Sequence, residues 1–223
     1  MMNPKSTMTT RRNVVTNFSA SNLAKSDFAG VTAQKGRFNS SALSGSDFAG
    51  ANLTGSTFEG SEVREANFDG ANLTDCRLTA LDLTHATFKK TILVRTAFSG
   101  ARLEGAKFTG VRLTDVTISM TDLRATIFED CLFDGVHFKD ADLSGKCFDG
   151  QTFVGVKFEK AALTDASFKG AVFKDVSFHP GFTLTKKYYR MIKTICFDGA
   201  KMDKLTFALL KGMDANLSKV TVI

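Results

Sequence analysis

Residues 51–70 read ANLTGSTFEGSEVREANFDG. Large apolar side chains fall on Leu53, Phe58, Val63 and Phe68, five residues apart each time. Worked outward, the beat runs from Phe18 to Phe178. All 33 positions ending in 3 or 8 hold Phe, Leu, Val or Ile, except Ala33. A helix repeats every 3.6 residues and a strand every two, so neither keeps this rhythm. A strict short period over most of a chain signals a solenoid, in which each unit packs on its neighbours.

Calling the large apolar residue i, position i−2 is mostly small (Ser46, Ala51, Ser56, Ala66, Ala71). Position i−1 is often Asn or Asp, and i+2 often Gly. Units such as Ala51-Asn52-Leu53-Thr54-Gly55, Ala71-Asn72-Leu73-Thr74-Asp75 and Ala141-Asp142-Leu143-Ser144-Gly145 resemble the pentapeptide repeat family, A(D/N)LXX. The resemblance implies an all-β right-handed quadrilateral parallel β-helix of about eight coils. Four pentapeptides would make a 20-residue coil, with i and i−2 inward. At the strand spacing of about 4.8 Å the rod would be about 40 Å long.

Folded by 20, the numbering gives four inward columns. Phe28 to Phe168 form one unbroken Phe ladder, opposite a column from Phe18 to Phe178 that is mainly Phe. The other two, starting at Leu23 and Ala33, are mainly aliphatic until Phe133, Phe153 and Phe173. This late switch should reshape the interior near 133–173. Lys146 and Gln151 occupy the small inward position in successive units, and Leu81 is bulky there. A buried ammonium is costly, so Lys146 should snorkel or the corner should bulge. A local binding site near 146–151 is the alternative to a tolerated distortion.

The domain reading is a flexible leader at 1–15, the β-helix at 16–178, a turn and short helical insertion at 179–196, and terminal repeats in a shifted register at 197–223. His179-Pro180-Gly181 signals a turn. An amphipathic helix capped by Thr183 or Thr185 should follow, with Leu184, Tyr188, Met191, Ile192 and Ile195 on its apolar side. The beat then resumes through Phe197, Met202, Phe207, Gly212, Leu217 and Val222. The insertion reads as a flap over a seam or as a basic, aromatic contact element. Candidate partner-binding residues are Lys186, Lys187, Tyr188, Tyr189, Arg190 and Lys193, with Lys146 and Gln151 on the rod.

Net charge is +6, and residues 179–223 hold eight Lys and Arg against three Asp. The basic column Arg37, Arg77, His137, Lys157 is sparse, which argues against direct nucleic-acid binding. His85 and His137 read as isolated outward residues. Metal spacing, phosphate loop and nucleophile motif are all missing, so the expectation is a non-enzyme without cofactor or metal. Cys76 and Cys131 take the small inward position and read as buried small residues in a reducing compartment; Cys147 and Cys196 complete the set, and there is no CxxC pair. No apolar run approaches the roughly 20 residues of a membrane span.

The leading functional reading is a protein-interaction scaffold with an unidentified protein partner. The family resemblance adds an alternative: some members mimic DNA, bind gyrase or topoisomerase IV and protect against quinolone-like toxins. Such mimicry needs sustained outward acid. Here the best column, Glu62, Asp82, Asp122, Asp142, is interrupted by Arg102, and Asp69, Glu129, Asp149 by Lys89 and Lys169. A cytoplasmic location is expected. The leader, free of Asp and Glu over the first 20 residues, leaves a secreted effector or organellar protein open, and monomer and end-to-end dimer are both open.

Overall fold

A computed structural model describes residues 16–181 and 185–223. The expected leader at 1–15, and Thr183 and Leu184 beside the helix, lie outside the described residues. From 16 to 181 the chain winds as a quadrilateral parallel β-helix with a 20-residue coil. Successive coils pair in register, as in Asp47↔Asn67, Leu78↔Phe98 and Phe133↔Phe153. The four walls are named here by their first inward residue: Phe18, Leu23, Phe28 and Ala33.

On the Phe18 wall, six strands from Arg77–Thr79 to Ser177–His179 form one continuous parallel sheet. On the Ala33 wall, seven strands from Leu93–Val94 to Thr221–Val222 form another. The Phe28 wall carries a two-stranded sheet, Lys107–Thr109 with Ile127–Glu129, and single bridges elsewhere. Positions i and i−2 are buried along the rod and the other three face outward. Within a ladder the rings stack, Phe48 on Phe68 at 5.0 Å and 3°. Across the core they meet edge to face, Phe38 to Phe48 at 5.8 Å and 88°. Both geometries suit the ring quadrupole.

Buried hydroxyls at i−2, Thr121 excepted, share one recurring bond to the carbonyl 23 residues earlier; Thr121 Oγ1 donates to the Ser119 carbonyl (2.8 Å). Ser46 Oγ donates to the Leu23 carbonyl (2.8 Å), Ser56 Oγ to Ala33 (2.9 Å) and Thr91 Oγ1 to Phe68 (2.8 Å). A hydroxyl is thus admitted to the core without an orphaned polar group. Val111, Val116, Val136, Val156 and Val176 take the same corner, and each follows a three-residue strand. A β-branched corner favours extended backbone, whereas Ser46 closes an i→i+3 turn (Ser46 N to Leu43 O, 3.1 Å); Ala corners do either, Ala66 closing the turn and Ala101, Ala141 and Ala161 following three-residue strands. The i+2 residue is left-handed in every unit but one from Ala20 to Asp175, whether Gly145 (φ 67°) or Asp75 (φ 59°). For a non-glycine this costs roughly 1–2 kcal/mol, which explains the abundance of Gly there.

Ala125 is the one i+2 residue between Ala20 and Asp175 without a positive φ. The cause lies in the next coil. Lys146 sits half-buried at i−2, and its ammonium donates to the carbonyls of Thr126 and Arg124. Gly105 N accordingly turns from its register partner, the Arg124 carbonyl, to that of Ala125 (3.2 Å). Among the described residues, no backbone bond joins 127–130 to 147–149 on the Phe28 wall, and the Leu23-wall bridge from Arg102 to Asp122 is also missing. The Phe28 ladder loosens here: Phe88 and Phe108 stack at 4.5 Å and 2°, Phe128 and Phe148 sit at 6.0 Å and 32°. The expected reshaping near 133–173 is present, with Phe133 edge-on to Phe148 at 5.7 Å. Lys146 both reaches for polar atoms and bulges the corner.

Two helices replace strands in the last coil. Helix α1 spans Lys186–Thr194 and α2 spans Lys204–Gly212. Thr185 caps α1, its side chain accepting from Tyr188 N (3.2 Å). The second helix corrects the sequence expectation of one insertion and a beat continuing through Phe207 and Gly212. Asp203 caps it by accepting from the amides of Leu205 (2.8 Å) and Thr206 (3.0 Å), which draws the following residues into a helix. The resumed register is real on two walls: Phe197 stacks on Phe168 (5.7 Å, 12°), and Met202 pairs with Phe173 and Val222.

Candidate interaction surfaces

Nine-residue helices are marginal in isolation, so α1 depends on what it covers. Ile192 and Ile195 are buried against the last coil, while Tyr188, Tyr189 and Met191 are half-buried. Burial pushes the Tyr188 phenol up to about 12. The helix stands where the next strand of the Leu23 wall would run. Met191 Sδ accepts from Leu163 N (3.2 Å) and Thr194 Oγ1 from Asp165 N (2.8 Å). Side chains thus replace the carbonyls of the missing strand and cover an edge that would otherwise template foreign strands. Helix α2 does the same for the Phe18 wall: Thr206 Oγ1 accepts from Val176 N (3.0 Å) and Asp203 Oδ2 from Asp175 N (2.8 Å).

The predicted contact residues divide in two. Lys186, Lys187, Tyr188, Tyr189, Arg190 and Lys193 lie together on α1. Lys193 is bound to Asp214 (Nζ to Oδ2, 2.5 Å), whereas Lys186, Lys187 and Arg190 form no ion pair among the described residues. Between α1 and the Leu23 wall lies a groove of about 510 Å³. Ala161, Ala162, Tyr188 and Met191 form its apolar part, with Lys187 and Arg190 beside them. Lys146 and Gln151 lie on the rod and spend their polar atoms locally. Burial holds the Lys146 ammonium below its ordinary value. The Gln151 side-chain oxygen accepts from Cys131 N (3.1 Å).

The Leu23 wall carries the best acid column, and three of its four acids, Asp82, Asp122 and Asp142, are paired, whereas Glu62 forms no ion pair among the described residues. Asp82 faces Arg64 and Arg102, both at 3.6 Å. Arg124 reaches Asp122 at 2.6 Å and Asp142 at 3.4 Å. Burial pushes the Asp82 carboxyl up, but bonds from Thr84 and the two arginines outweigh it and hold it below the usual range. Each exposed pair adds little stability, yet together they cancel the field along this face. In the second acid column, Asp149 accepts from Ser167 Oγ (2.5 Å) and Lys169 N (2.9 Å), and Asp69 from Lys89 N (2.8 Å). The arginines at i+1, Arg64 and Arg124, were the signal for this neutralisation; a single-column reading overlooks them.

His137 is not isolated: its Nε2 lies 2.8 Å from Glu159 Oε2, two residues beyond a whole coil. Cys76 and Cys131 are buried, and desolvation pushes their thiols up to about 12 and about 11. Cys147 is exposed and Cys196 half-buried. Among the described residues, no group of three or more His, Cys, Asp or Glu could hold a metal ion, and no helix is long and apolar enough to cross a membrane.

A square, 20-residue coil with these inward positions defines the class as a right-handed quadrilateral β-helix. Residues 51–127 match the family described as Pentapeptide repeat region, and the rod has the fold of solved pentapeptide repeat proteins. Among solved structures it is similar to trypsin-treated QnrB1, a plasmid-mediated fluoroquinolone resistance protein. That likeness has a TM-score of 0.66 and 18% identity, over 89% of this chain and 96% of QnrB1. It is also similar to HetL, involved in heterocyst differentiation regulation in the cyanobacterium Nostoc sp. strain PCC 7120. There the TM-score is 0.52 and identity 18%, over 82% of this chain and 85% of HetL. At these identities the likeness speaks for the fold. No curated protein matches the sequence.

Proposed function

We propose that this chain is a non-enzymatic interaction scaffold and that its specific contact element is the outer face of α1. The observation that carries this reading is the cluster of Lys186, Lys187 and Arg190, which form no ion pair among the described residues, on a helix at the end of a rod whose arginines are largely matched to acids. Exposed, unmatched charge steers association and selects partners. Lys146 and Gln151 are read as structural.

DNA mimicry, with protection of a topoisomerase, is the second reading. The similarity to QnrB1 favours it; the paired acids of the Leu23 wall weigh against it.

Deleting the insertion would be a poor test, because Met191 and Thr194 hold the edge of the Leu23 wall. Charge reversal at Lys186, Lys187 and Arg190 leaves those contacts in place. Affinity purification from the native host with the intact chain and this triple variant should recover a partner with the former and lose it with the latter. Equal recovery with both would remove α1 from the interface.

A further inference from the structure

We propose that the groove between α1 and the Leu23 wall takes an acidic amphipathic segment of a partner protein, with an apolar side chain against Met191 and Tyr188 and carboxylates on Lys187 and Arg190. This rests on α1 being the contact element and names the chemistry of what it contacts.

The Leu23 wall presents short side chains beside α1. Its outward positions hold Asp82, Arg102, Asp122 and Arg124 in earlier coils, but Ala162 and Thr164 beside α1. The groove volume of about 510 Å³ falls in the range of sites that enclose a few side chains. Its composition is selective. The aromatic body of Tyr188 and the thioether of Met191 form an adaptable apolar seat. Lys187 and Arg190, three residues apart on one helix face, pair with no carboxylate among the described residues. A nucleic-acid strand would need cations continuing along the rod, and there the Leu23 wall offers the matched Arg124 and Asp142 (3.4 Å). A phosphate would also leave the apolar seat unfilled.

The probe is a fluorescein-labelled peptide, Glu-Glu-Leu-Glu-Glu-Phe-Leu-Glu-Glu, titrated with the full chain and followed by anisotropy. One control peptide has Lys for every Glu, a second has Ser for Leu and Phe, and oligothymidine tests the nucleic-acid source. The acidic amphipathic peptide should bind, and each control should bind at least about tenfold more weakly, a difference of about 1.4 kcal/mol. Two variants test the site by different means. Lys187→Glu with Arg190→Glu reverses the rim, and Ala162→Phe fills the groove. Each should weaken the peptide about tenfold, with the thermal midpoint unchanged as the check on folding. Absence of saturable binding, equal binding of either control, tighter binding of oligothymidine, or indifference to both variants overturns the proposal. If the peptide fails while partner recovery still depends on the α1 cations, the groove chemistry falls and the contact element stands. If recovery is also independent of those cations, both fall.

Discussion

Lys146 does at one residue what the repeat otherwise forbids. Where Ser46 sends a hydroxyl to the carbonyl 23 residues earlier, Lys146 sends a longer, charged arm to Thr126 and Arg124. The Ala125 turn and the ladder between 127–130 and 147–149 give way. The sequence marks Lys146 as the offender, since it alone puts a cation at an inward corner. It does not mark Ala125, because Leu123-Arg124-Ala125 is an ordinary unit and its disturbance comes from 20 residues downstream. Lys146→Ser should therefore repair two coils at once. Restored ladder bonds contribute about 1 kcal/mol each, and the return of Ala125 to the left-handed region costs roughly 1–2 kcal/mol. A net gain of about 1 kcal/mol is expected, with slowed amide exchange at Phe128, Asp130 and Cys147. Unchanged exchange at these amides would show that the gap has another cause.

At the scale of elements, the strands and α1 were legible and α2 was not. The turn at His179-Pro180-Gly181 and the spacing of Tyr188, Met191, Ile192 and Ile195 announce α1. In α2 the five-residue beat and the helical period coincide: Phe207 fits the first, while buried Thr206 and Leu210 with Met213 fit the second. The deciding signal was Asp203, a helix cap rather than the i+1 residue of a pentapeptide. Burial pushes the Asp203 carboxyl up, but bonds from Thr206 and from the amides of Asp175 and Leu205 outweigh it and hold it below its ordinary value. A carboxyl depressed on folding contributes stability that is present above its unfolded pKa, about 3.9, and is lost as pH falls through the folded value. Asp203→Ala should cost about 1 kcal/mol at neutral pH, the usual loss of a cap. Urea midpoints of the two chains should converge below about pH 4. Parallel pH curves would mean that Asp203 does not act as a charged cap.

For the whole molecule, the backbone was far easier to read than the surface. Inward positions obey a volume rule that nearly every coil repeats, with Leu81, Lys146 and Gln151 as departures, so the pattern is read many times over. Outward residues interact across columns, as Arg64 with Asp82 and Arg124 with Asp142, and a column read alone misjudges the field. The charge balance of the Leu23 wall decides between the two functional readings. A DNA mimic must present continuous negative potential over a length comparable with its target site. On this wall the run from Asp82 to Asp142 is matched by three arginines, and its potential falls off within about 8 Å at physiological salt. The full chain should therefore leave DNA gyrase supercoiling unchanged at stoichiometric and tenfold-excess protein, about tenfold being the span that resolves 1.4 kcal/mol. The variant Arg64→Ser, Arg102→Ser, Arg124→Ser strips the matching charges while keeping the rod. If wall charge is what withholds mimicry, this variant should begin to compete with DNA, most strongly at low salt. Inhibition by the unaltered chain would instead place the enzyme-binding surface on another wall and favour the topoisomerase reading.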